Sequence, residues 1–204
     1  MYAGGTSLRP TEKDLVDEAK RLGAAHAKVI FTKDIVVDKR VRLKCAVPVC
    51  SGYGTHLMCP PNVMSVDEFR EILSAYKKAL LFQVEADCGS LDRAPGESLS
   101  KRVEDRITEP DESMKKLHLL VNALETMAFK RGFHFATGLI GGQCMLCPEC
   151  IPPGSGKACR HPFEARPSME AMGIDVVRTC ERVGLKISLS SKESVRWTGL
   201  VLLD

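Results

Sequence analysis

Cys144-Met145-Leu146-Cys147-Pro148-Glu149-Cys150, followed after an eight-residue loop by Cys159, is the stretch from which the rest of the chain is read. Three cysteines at two-residue intervals curl a short loop until their sulfurs converge. A cubane iron–sulfur cluster takes its thiolates in that way, several from a tight turn and one from further along. A zinc knuckle is patterned otherwise, as one Cys-x-x-Cys pair, a long gap and a second pair of Cys or His ligands. The usual bacterial cluster run brings its last cysteine sooner and follows it with proline, whereas Cys159 comes late and precedes Arg160-His161-Pro162. The expectation is a [4Fe–4S] cluster on Cys144, Cys147 and Cys150, with Cys159 the fourth ligand by position. Zinc and uncoordinated thiols are the alternatives.

A second group, Cys45-x4-Cys50-x8-Cys59-Pro60-Pro61, puts three more thiols within fifteen residues. The Gly52-Tyr53-Gly54 turn between them lets the backbone wrap closely round a bulky group, and Pro60-Pro61 stiffens the exit. Three thiolates without an obvious fourth suit a second cluster with one differentiated iron, a share in the later site, or zinc. His56, Cys88, Cys159 and Cys180 are the candidates for the missing ligand. Cys88, at a strand end, and Cys180, inside a helical pattern, otherwise read as structural thiols.

Composition narrows the partners. Net charge is +3 and aromatic content 5%, which gives neither the basic stripe of a nucleic-acid protein nor a stacking platform. No apolar run reaches the roughly 18 residues of a membrane helix, and no secretory signal opens the chain. Nine cysteines in such a chain indicate metal ligands or redox chemistry in the cytoplasm rather than disulfides. The expected partner is a redox protein or a small-molecule substrate; the oligomeric state is not legible.

The remaining pattern predicts an α+β fold: residues 1–204 as a single domain, a mixed or antiparallel sheet, flanking helices and two cysteine-rich metal-binding loops. Thr11 opens a helix with Leu15, Ala19 and Leu22 on one face, and Lys28–Phe31 reads as a strand. Residues 33–44 admit strand or loop. Ser65-x-x-Glu68 is a capping box before Phe69, Ile72, Leu73 and Tyr76. Residues 79–84 read as a buried strand, 89–113 as an exposed insertion and 111–131 as the longest helix. Strand 133–140 follows, then helices 168–172 and 175–183, and strands 186–189 and 195–203. His118 and His134 fall in these patterns as structural residues, and Trp197 on a core face. Lys39, Arg40, Arg42 and Lys44 before Cys45, and Lys157, Arg160, His161 and Arg166 around Cys159, form candidate basic rims that would favour a reduced, anionic cluster.

Two sets of residues resemble one family. Val41-Arg42-Leu43-Lys44-Cys45, Cys50-x-x-Tyr53-Gly54 and Cys59-Pro60-Pro61 are similar to the predicted metal-binding proteins grouped as domain of unknown function 2284. So are the Cys144 loop through Cys159-Arg160-His161-Pro162, Arg166-Pro167-Ser168-Met169-Glu170-Ala171 and Gly173-Ile174-Asp175-Val176. The resemblance spans roughly residues 25–203 and implies metal binding by both cysteine groups, with iron–sulfur as the expected form. It carries no settled reaction. Electron transfer, or redox or Lewis-acid activation of a small substrate, is the leading expectation; a zinc-stabilised binding module or a metallochaperone is the alternative.

Overall fold

The computed structural model describes residues 12–85, 112–187 and 196–204. Its frame is a four-stranded antiparallel sheet in the order β1 (His26–Phe31), β2 (Lys78–Glu85), β4 (Arg196–Leu203), β3 (Thr137–Leu139). This is the α+β arrangement the sequence predicts. β2 and β4 are central, so both their faces are covered and their apolar runs are nearly continuous rather than alternating. The pleat sends Leu80, Phe82, Val84, Val201 and Leu203 to one face and Ala79, Leu81, Leu200 and Leu202 to the other.

The first face is covered by α1 (Glu12–Arg21), through Leu15 and Ala19, and by α4 (Glu112–Lys130), through Leu117, Val121, Leu124 and Ala128. The second is covered by α3 (Val66–Ser74), α5 (Val176–Arg182) and the intervening Met169, Met172 and Ile174. The Ser65 capping box forms as expected, Ser65 Oγ accepting from Glu68 N–H and Glu68 Oε2 from Ser65 N–H. Among the described residues no helix is long and apolar enough to cross a membrane.

Several local expectations resolve differently. Residues 33–44 are neither strand nor loop: a 3-10 turn at Thr32–Asp34 leads to helix α2 (Lys39–Ala46), whose N-cap Asp38 accepts the Arg40 N–H. The strand expected over 133–140 shrinks to β3, because Gly132 (φ 101°) ends α4 and residues 133–136 are used in the reversal. Residues 168–172 make one uncontinued turn, with Ser168 Oγ taking the Ala171 N–H and Gly173 (φ 82°) ending it. Residues 186–187 are not in a strand. Thr11, Cys88, most of the expected 89–113 insertion and residues 188–195 lie outside the described residues; Glu112 and Ser113 begin α4.

The turn at 168–175 ties the two cysteine-bearing segments together. Met169 N–H donates to Ile140 O at 2.8 Å, just ahead of the Cys144 loop. Asp38 N–H donates to Gly173 O and Asp175 N–H to Val36 O, both at 2.8 Å, just ahead of α2 and Cys45. Strands β1 and β3 run antiparallel to one another within the sheet, so their chains leave from opposite ends. This turn brings the two exits to one side of the molecule.

Candidate metal centre

Cys144, Cys147, Cys150 and Cys159 line one small enclosed cavity, walled by Leu57, Leu146 and Ala165. Backbone donors reach the sulfurs: Leu57 N–H to Cys150 Sγ at 3.5 Å and His161 N–H to Cys159 Sγ at 3.4 Å. Burial pushes the Cys144 thiol up, and the three neighbouring thiols add to it, while the Leu146 N–H draws it back. Such N–H groups favour the charged thiolate over the thiol. The cavity they line, about 20 Å³, is room for one or two waters, and a wider open cleft adjoins it at Leu146, Cys147 and His161.

Helix α4 holds the far arm of this loop. His118 Nε2–H and Asn122 Nδ2–H both donate to Glu164 O, at 2.9 and 3.0 Å. His118 is fully buried, its Nδ1 has no hydrogen-bond partner, and burial lowers its affinity for a proton. Arg160 Nη1 donates to Glu149 O at 2.7 Å and joins the two arms across Cys159. Arg166 is taken up by a bidentate pair with Glu125, at 2.7 Å for each contact.

The second group adjoins the first. Cys45 stands in the last turn of α2, and Cys50 N–H donates to its carbonyl at 3.0 Å. Cys59 is 8% exposed, and its N–H donates to His56 O. A Cβ on Gly52 would lie 3.0 Å from Cys59 Sγ and 2.9 Å from Gln143 Oε1, so this glycine is what lets residue 143, next to Cys144, meet the Cys59 turn. Burial pushes the Cys59 thiol up to about 12, with contributions from Cys50, Cys45, Cys144 and Cys150. Members of both groups thus act on one sulfur. Burial also raises the Cys45 thiol, followed by Cys50 and by the Glu170 carboxylate, with Arg42 opposing.

Other sequence candidates separate from these loops. Cys180 is fully buried in the core on α5, near Gln83 Nε2, and burial lifts its thiol to about 11. Much of the basic rim has partners at the surface: Lys39 pairs with Asp67, Arg40 with Asp38, His161 with Glu164, and Arg42 donates to Met64 O. Glu170, within the family-like run Arg166–Ala171, has no ligand-like spacing of its own in the sequence. It lies in the turn between the two cysteine segments, partly buried, with Oε2 sealed from solvent and without a hydrogen-bond partner.

Among the described residues no three His, Cys, Asp or Glu side chains close on one point as a single-ion site requires. A family model described as predicted metal-binding protein, domain of unknown function 2284, matches residues 28–203. No curated protein and no solved structure matches the chain.

Proposed function

Because the chain belongs to the predicted metal-binding proteins of domain of unknown function 2284, we propose that its metal is iron, as iron–sulfur clusters in both cysteine groups. Cys144, Cys147, Cys150 and Cys159 would hold a [4Fe–4S] cluster, and Cys45, Cys50 and Cys59 a second centre. The observation that carries this reading is the cavity shared by four thiols, with backbone N–H groups directed at the sulfurs. The donor set fits a cluster. Soft thiolates suit iron–sulfur, hydrogen bonds to sulfur tune its potential, and Leu57, Leu146 and Ala165 give the cavity an apolar wall.

An iron–sulfur cluster supplies one-electron redox chemistry. The chain's own contribution is position: Leu57, two residues from Cys59, donates to Cys150 Sγ, so centres held by the two groups would be neighbours. In this reading the four-cysteine centre is the relay, and the three-cysteine centre is the terminus at which a small substrate is reduced or polarised. The electron donor is a redox protein. Cys50 is exposed while Cys59 is buried, so the terminus has an open side and a closed one.

Anaerobic reconstitution with ferrous iron and sulfide tests the reading. The expected product is brown, bleaches with dithionite, and loses about four irons per chain in Cys147→Ala. A colourless protein with stoichiometric zinc and no iron uptake would replace it with the zinc-stabilised module.

A further inference from the structure

We infer that the redox protein docks over the open cleft beside Cys147, meeting the exposed Phe163 and the basic residues Lys157 and Arg160 with an acidic face. The inference rests on the proposal that the four-cysteine centre receives electrons from a protein.

The cleft holds about 300 Å³ and is lined by Leu146, Cys147, Pro148, Glu149, Arg160 and His161. Leu146, Cys147 and His161 also line the closed cavity of the four thiols. Cys147 is thus the thiol of that set that belongs to both spaces, and a partner seated over the cleft lies against it. Phe163 stands on the turn that starts at His161, where the Glu164 and Ala165 N–H groups both donate to His161 O, at 3.1 and 2.8 Å. Its ring is 89% exposed, more than any other large hydrophobic among the described residues. Pro148 in the cleft wall and Pro162 before Phe163 are exposed as well. Leaving apolar surface in water forgoes the free energy of burial, and aromatic residues and arginine are enriched where proteins meet.

Charge selects the kind of partner. From Cys150 to Phe163 the chain has no acidic residue and carries Lys157 and Arg160. Arg160 donates to a backbone carbonyl, that of Glu149, and among the described residues neither Arg160 nor Lys157 pairs with a carboxylate. Glu164 is occupied by His161 Nδ1 at 3.0 Å, which leaves Glu149 against the two cations. A positive surplus round an apolar contact steers an acidic protein in and fixes its orientation. Electron-transfer encounters lie at the small end of interface size, so one aromatic contact with a charged collar suffices. One electron leaves the reduced partner and enters the four-cysteine centre, with no bond made or broken.

The test uses the anaerobically reconstituted protein and an acidic [2Fe–2S] ferredoxin as probe. Calorimetry with the oxidised ferredoxin gives affinity, and stopped flow with the reduced one gives the rate of electron transfer. Wild type, Phe163→Ser, Lys157→Glu and Lys20→Glu are compared, the last placing the same charge change on α1. At low salt Phe163→Ser and Lys157→Glu each lose at least about tenfold in affinity and rate. Lys20→Glu matches wild type, and dithionite reduces all four alike, which reports an intact centre. High salt removes the Lys157→Glu difference by screening and leaves that of Phe163→Ser. A ferredoxin that does not bind wild type, wild-type affinity and rate in either cleft variant, or an equal loss in Lys20→Glu overturns the inference while the centre stands. So does a self-association of wild type that Phe163→Ser abolishes, which gives the surface to a second copy of the chain. A protein that takes up no iron overturns the proposed centre and the inference with it.

Discussion

Gly138, on β3, carries a tight local requirement. A Cβ there would stand 2.5 Å from Val121 Cγ1 and 2.5 Å from Glu125 Oε2, the oxygen that accepts the Gly138 N–H at 2.6 Å. Gly138→Ala pushes β3 away from α4, and overpacking of this kind costs about 1–3 kcal/mol, seen as a lower urea midpoint. Glu125 also takes the two Arg166 contacts, with side chains only 16% and 19% exposed. Arg166→Ala leaves that carboxylate uncompensated, and the loss falls near the low end of the roughly 3–5 kcal/mol for broken buried pairs. Arg166→Lys recovers little of it, since lysine has no planar fork; equal midpoints for Arg166→Lys and wild type would refute this assignment. Sequence made Arg166 a candidate for the basic rim. Only the fold shows its partner, because Glu125 lies 41 residues away.

At the level of elements, capping decides where helices begin. Ser65→Ala removes the oxygen that receives the Glu68 N–H and lowers stability by about 1 kcal/mol, with metal content unchanged. Asp38 caps the helix that carries Cys45. Hydrogen bonds from the Arg40 side chain and backbone lower its carboxyl from 3.8 to about 2. Since the folded value is the lower one, its contribution is complete above the unfolded value and fades as pH falls from near 4 toward 2. Asp38→Asn should therefore flatten the acid limb of the stability curve in that window; an unchanged limb would remove the cap from the account. The capping box at Ser65 is legible in sequence because both halves lie within one turn. Helix α2 is not, because Val36 and Val37 stay extended and dock against residues 173–175, and it is this long-range contact that sets Asp38 in place as the helix cap.

Across the whole molecule, the two apolar cores meet at the sheet, and neither contains the segments that carry the two cysteine groups. Removing metal with a chelator should lower the melting temperature by the binding free energy lost while leaving the far-ultraviolet dichroism nearly intact. Hydrogen exchange should speed up chiefly over residues 43–62 and 141–165, and collapse of the sheet on metal removal would contradict this division. The amino-acid sequence alone determined the α+β class, the long helix and its Gly132 stop, the central apolar strands and the two cysteine groups, since each depends on spacings within a few residues. Tertiary structure decided what those spacings cannot encode. It set the two groups side by side, tied Arg166 to Glu125 and buried Cys180 in the core. These outcomes depend on contacts between residues tens of positions apart, made only when the turn at 168–175 crosses the face of the sheet.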